Sequence, residues 1–225
     1  MKAWTFNRGL LLVAMCAVLT GCATSRSEIK LGAPAATPVA EVNPNAPVAV
    51  IRTIKDDRVF QQAPSEPNIP SLGFEGAAQA SAEIRERAIG RKRNTYGKAL
   101  GDVLLEKGQT VEGVVRENLA AGLRQAGFQV KTEKEAPDAP VTIDVSIGNF
   151  WAWFQPGFWA IKLHAEVSTN LKVNGASSPT RVAVQREESM QIATDSSWME
   201  VIGKALESYR LEVAKVAAGF PRKKP

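Results

Sequence analysis

The residue whose surroundings specify chemistry most narrowly is Cys22, which closes the run Leu19-Thr20-Gly21-Cys22. A leucine and two small residues set directly before a cysteine form the lipobox pattern that a lipoprotein signal peptidase cuts. The cysteine sulfur then carries a diacylglyceryl group as a thioether. Lys2 and Arg8 supply a positive leading region, and residues 9–18 form an apolar core of secretory length that is too short to span a bilayer. Cys22 is therefore expected to be the lipidation site and the first residue of the mature chain. At ~0.8 kcal/mol per buried methylene, two or three acyl chains tether a protein essentially permanently. Ala23, rather than Asp, follows the cysteine, which points to the outer membrane, with the lipid-anchored domain facing the periplasm.

The other reactive side chains form no catalytic set. Cys16 leaves with the signal and Cys22 is alkylated, so no thiol remains for a disulfide, a metal site or a nucleophile. The single histidine, His164, falls on the polar register of an alternating segment, where a solvated or cross-strand hydrogen-bonded ring is expected. Asp56-Asp57 reads as a turn closing a strand: on a strand their carboxylates would point to opposite faces, and calcium would want 6–8 oxygens. Glu187-Glu188 and Asp144 are the carboxylates left for a hydrolase, and no Gly-x-Ser-x-Gly or His-Glu-x-x-His motif accompanies them. No enzyme activity, cofactor or metal is expected. Removing residues 1–21 takes Lys2 and Arg8, and no acid, from 28 Lys+Arg and 23 Asp+Glu, which leaves a net charge of +3. So mild an excess calls for no nucleic-acid partner.

Two constellations have the composition of binding surfaces. Residues 150–159 hold six aromatics, Phe150, Trp151, Trp153, Phe154, Phe158 and Trp159, around a Pro156-Gly157 turn. A period of two cannot send Phe150, Trp151, Trp153 and Phe154 all inward, so Trp151, Trp153, Phe154 and Phe158 are candidates for an exposed surface that meets a membrane or a protein. The second is the basic string around Arg91, Lys92 and Arg93, whose guanidinium and ammonium groups suit anionic headgroups or an acidic partner.

These residues need elements to position them. Residues 22–47, rich in Ala, Pro, Ser and Thr, read as a flexible tether. A single periplasmic domain is expected over residues 48–220, with a long insertion at 61–109 and a basic tail at 221–225. Residues 48–54 are β-branched-rich and predict a buried strand, and a short helix is possible near residues 78–88. Val111, Val114, Val115, Leu119 and Leu123 recur at helical spacing up to Gly127. Residues 128–130 suggest a short strand, and alternation over 141–147, 159–173 and 181–192 predicts three strands in an antiparallel meander. Ser197 to Glu200 matches a capping box at the head of a long helix whose apolar stripe runs from Trp198 to Phe220. The expected fold class is α+β: a two-layer sandwich, mainly antiparallel with four to five strands, and two long amphipathic helices on one face.

In this order of elements the chain resembles the YajG-like family of uncharacterised bacterial lipoproteins. The likeness is carried by the lipobox at Cys22, the Pro/Ala stretch, the early strand, the helix ending at Gly127, the alternating strand and the closing helix. That resemblance brings no catalytic residues with it. Together these features lead to the expectation of a non-enzymatic outer-membrane lipoprotein, a protein-binding or envelope-assembly module that meets the membrane through Cys22 and has an envelope protein as partner. An accessory for binding or transport of envelope lipid or lipopolysaccharide, and a cell-envelope hydrolase, are the alternatives.

Overall fold

The computed structural model describes residues 25–34, 45–74, 76–94, 96–157 and 160–222. The signal segment, Cys22 and Phe158 lie outside the described residues. Among them the chain forms an eight-stranded mixed sheet and three helices, broadly α+β, in the order β1 (Ser27–Ile29), β2 (Val48–Asp56), α1 (Ala82–Arg87), β3 (Ala88–Arg93), β4 (Ala99–Leu105), α2 (Val111–Gln125), β5 (Gln129–Lys131), β6 (Val141–Gln155), β7 (Ile161–Val173), β8 (Thr180–Met190) and α3 (Asp195–Ala217).

Strand β6 organises the sheet. From Ile143 to Gln155 one edge pairs antiparallel with β7, which pairs in turn with β8, as the alternating pattern predicts. A strand has only two edges, so β2 and β3 share the other. Val141 to Ile147 pair with β2 in parallel, and Ala152 and Trp153 pair in parallel with Gly90 and Arg91 of β3. The sheet continues from β2 to β5 and from β3 through β4 to β1. Four of its seven pairings, β1 with β4, β2 with β5, β2 with β6 and β3 with β6, are parallel. The expected sheet of four to five mainly antiparallel strands is therefore corrected to eight mixed ones.

Helices α2 and α3 lie where periodicity places them. Thr110 caps α2 by accepting from the Gly113 amide at 3.1 Å. Gly127, at φ 85°, ends it: the Gly127 and Phe128 amides return to the carbonyls of Arg124 and Leu123 at 2.9 and 3.0 Å. Helix α3 begins at Asp195, ahead of the expected box at Ser197, because the Thr194 amide donates to the Ser197 Oγ at 3.2 Å. The two helices touch at Gly122, where an added Cβ would stand 2.7 Å from a Val213 methyl and 2.8 Å from the Arg210 carbonyl. Between helices and sheet lies the main core, with Leu119, Leu123, Ile143, Phe150, Leu163, Trp198 and Tyr209.

The structure also revises two boundaries. Residues 27–31 of the expected tether are part of the fold: Ser27 to Ile29 form β1, Ile29 and Leu31 are buried, Leu31 exchanges two hydrogen bonds with the Gln109 side chain (3.0 and 2.8 Å), and the Arg26 Nε meets Asp102 at 3.0 Å. The stretch expected as an insertion at 61–109 supplies α1, β3 and β4, and so builds part of the sheet.

Candidate functional site

The two nominated constellations are neighbours. Parallel pairing sets Arg91 beside Trp153, and residues at one register position of adjacent strands project to the same side. A cleft of about 520 Å³ opens there, lined by Arg93, Gly97, Trp153, Pro156, Glu66 and Asn68 among others. Arg91 is half-buried, with its Nε donating to the Leu100 carbonyl at 3.3 Å and its Nη1 to the Ser71 Oγ at 3.4 Å. Arg93 donates from Nη1 to the Gly97 carbonyl at 2.9 Å, and its buried Nε has no partner. Burial first, and the charge of Arg91 second, push the Arg93 guanidinium below its usual pKa. Lys92 reaches the Ser25 carbonyl at 3.5 Å. The string is thus a strand whose cations are half engaged within the fold.

The aromatic run departs furthest from expectation. Trp151, Trp153 and Phe154 retain 1, 7 and 5% exposure, and Phe150 1%. Alternation holds: Phe150, Ala152 and Phe154 face the helices, and Trp151 and Trp153 face the opposite way. That second face is covered too. Leu72, Ala77 and Ala88, with Phe60, Ala80 and Ile84 alongside, close over the two indoles. The Trp151 Nε1 donates to the Pro67 carbonyl at 3.2 Å, and Phe60 meets its ring edge-on at 6.1 Å. The expected exposed surface is therefore corrected: Trp151 and Trp153 sit in a second small core, and Phe154 in the main core under the helices.

One buried arginine fixes this cover. The Arg58 side chain has no exposed surface. It grips Asp56 with two nitrogens (2.8 and 2.7 Å) and donates to the carbonyls of Ala88 (2.5 Å), Phe150 (3.1 Å) and Arg85 (2.9 Å). Asp56 ends β2 and serves this clamp, while Asp57 accepts from Ser146 at 2.6 Å and pairs with Lys55. The sequence offered no sign of Arg58, because apart from nearby Asp56 its partners are carbonyls of Arg85 in α1, Ala88 in β3 and Phe150 in β6, brought to it only by the fold.

His164 is buried at 6% exposure, not solvated. Its ring stacks on Trp153, with centroids 5.0 Å apart and planes 8° from parallel, and neither nitrogen has a hydrogen-bond partner. Glu187 stands 3.5 Å from Nδ1 but is held by Lys162 at 2.8 Å. Burial lowers the His164 pKa below its ordinary 6.5, and this outweighs the opposing pull of Glu187. The folded state then resists a proton that the unfolded chain accepts, so stability is complete above about pH 6.5 and falls as the pH drops below it. Melting temperature measured from pH 8 to 5 should decline in the wild type, and His164→Phe, which keeps the stack, should flatten the decline. Equal slopes would remove His164 as the cause.

The remaining carboxylates have structural partners. Asp144 is held down to about 2 by the Arg52 guanidinium, with the Thr53 hydroxyl at 2.7 Å. Glu188 pairs with Lys204 at 2.7 Å. Among the described residues no three His, Cys, Asp or Glu side chains converge as a metal would require. No helix among them is long and apolar enough to cross a membrane. A larger cleft, about 760 Å³, lies at the rim formed by α2, β2 and β5; its floor holds Ala120, Ala121 and Val130, and its rim mixes Arg116, Arg124 and Lys131 with Glu117, Glu133 and Glu135.

A scan against protein-family models finds no match, and neither does a search of curated proteins. Among solved structures the chain is similar to an uncharacterized protein at 12% identity and TM-score 0.41, with 87% of this chain and 97% of that one covered. It is similar at 8% identity and TM-score 0.40 to protein XCC0632 from Xanthomonas campestris, of family DUF330, with 85 and 91% covered. A third likeness, at 13% identity, TM-score 0.31 and 78 and 92% coverage, is to the PelC dodecamer from Paraburkholderia phytofirmans.

Proposed function

We propose that this chain is a lipid-anchored, non-enzymatic module of the bacterial outer membrane, facing the periplasm and working through contacts with an envelope protein. The observation that carries the reading is Leu19-Thr20-Gly21-Cys22 behind a short apolar run and two cations. The use made of the polar side chains supports the non-enzymatic part. Asp56 clamps Arg58, Asp102 accepts from Gly73 and Arg26, Glu187 pairs with Lys162, and His164 is stacked and enclosed. Each is a tie within the fold, and a group spent on such a tie is a poor nucleophile or proton carrier. Within this reading the chain is a member of the YajG-like lipoproteins.

Fatty-acid labelling of cells making Cys22→Ser tests the anchor. The variant should carry no label and should accumulate as a full-length precursor that a lipoprotein signal-peptidase inhibitor no longer affects. Unchanged labelling would overturn the reading. Crosslinking in intact cells, followed by identification of the captured envelope protein, tests the contact.

A further inference from the structure

The distance between the proposed anchor and the sheet constrains how the domain sits. Strand β1 begins at Ser27, Arg26 is tied to Asp102, and Ser25 accepts from Lys92. Cys22 is three residues before Ser25, and at about 3.6 Å per residue its Cα can stand no further than about 11 Å from that of Ser25. A lipidated Cys22 therefore places the start of β1 against the headgroups.

The surface around that point has an unusual composition. Phe74 is 66% exposed and holds φ at 59°, a left-handed conformation that a bulky side chain rarely adopts and that Gly or Asn would take more easily. Its ring lies 4.4 Å beneath the Arg26 guanidinium, and the neighbouring Gly73 amide donates to Asp102 at 2.7 Å. The last rungs of the β3–β4 hairpin lie on the same side, since Ser27 pairs with Val103 in parallel and Arg93 with Ala99. The hairpin tip carries Tyr96, 93% exposed. Beside Tyr96, the Asn94 Oδ1 accepts from the Tyr96 amide at 3.0 Å and the Lys98 amide at 2.9 Å. Two exposed rings on held loops, with Arg26, Lys92 and Lys98 beside them, match what a bilayer interface selects: rings at headgroup depth and cations against anionic lipid.

We infer that the domain lies on its own membrane rather than standing clear of it, with Phe74 and the Tyr96 hairpin tip seated among anionic lipid headgroups beside the Cys22 anchor. This rests on the anchoring proposed above. A strained, exposed phenylalanine contributes little to the monomer, and headgroup contact supplies a use for it.

The test uses the full lipidated protein. Once Cys22 is acylated and Cys16 is removed with the signal, a single introduced cysteine is the only free thiol. Spin labels at Phe74→Cys, Tyr96→Cys and, on exposed Leu211 of α3, Leu211→Cys are read in vesicles of phosphatidylethanolamine and phosphatidylglycerol. Labels at 74 and 96 should show several-fold lower accessibility to a water-soluble relaxant than the label at 211, and strong relaxation by a nickel-chelating lipid. A further variant, Phe74→Gly, should melt no lower than the wild type yet raise aqueous accessibility at position 96. Labels equally open to water at all three sites, with Cys22 acylated by mass spectrometry, overturn the docking and leave the anchor standing. Shielding without lipid-borne relaxation indicates a protein contact and also overturns it. An unmodified Cys22 overturns the anchor and the docking together.

Discussion

Arg58→Met should lower the stability of the domain by about 3–5 kcal/mol, the range expected when one partner of a buried ion pair is removed. The loss has three sources. The Asp56 carboxylate is left without its counter-charge, the carbonyls of Ala88, Phe150 and Arg85 lose a donor, and residues 57–87 lose one of their ties to the sheet. Arg58→Lys should recover little, since one ammonium cannot match four acceptors that the planar guanidinium reaches at once. Urea denaturation of the three proteins measures this, and a loss below about 1 kcal/mol for Arg58→Met would show that the cover of the second face holds without the clamp. The same variant should expose the indoles of Trp151 and Trp153, which a red shift of tryptophan emission before the main transition would register.

Trp151→Ala should cost a similar amount, about 3–5 kcal/mol, because it removes a large side chain that is almost wholly enclosed and cannot be replaced by collapse of the loop above it. The expectation of an exposed aromatic turn led to the opposite outcome, a stable protein that has lost a partner. Thermal melting separates the two. A melting temperature within error of the wild type would restore Trp151 to the surface, whereas a large drop would establish the small core of Leu72, Ala77, Ala88, Leu104 and the two indoles as part of the fold's stability.

That reversal shows where local reading stopped. Alternation rightly implied that the four rings could not all face one way, since the period of a strand is a property of its own backbone, but grouping Phe154 with Trp151 and Trp153 as exposed was wrong: Phe154 shares the helix-facing side with Phe150 and Ala152. What it could not contain was the cover on the second face, which comes from residues about eighty positions earlier in the chain, Pro67 and Leu72 among them. His164 departs from its polar register for the same reason: the Trp153 ring laid against it makes the site dry. Strands β3 and β4 were hidden inside the expected insertion because Arg91, Lys92 and Arg93 interrupt any apolar alternation, although Val103-Leu104-Leu105 is a short apolar run that carries a strand signal. Tyr96 had a turn signal in nearby Asn94 and Gly97, but nothing local told that the turn would lie off the end of the sheet from which β1 starts.

By itself the sequence determined the elements whose order is local. These are helices α2 and α3 from their 3.6-residue stripes, the Gly127 stop, and the meander of β6, β7 and β8 from period two. Only the tertiary structure decided which strands lie side by side. Parallel pairs such as β1 with β4 and β3 with β6 join segments 76 and 62 positions apart, counted from Ser27 to Val103 and from Gly90 to Ala152. Their hydrogen bonds run between backbones, which are alike at every residue, so no side-chain pattern within either strand names its partner. The partner follows from what else must be buried, and burial is a property of the whole chain.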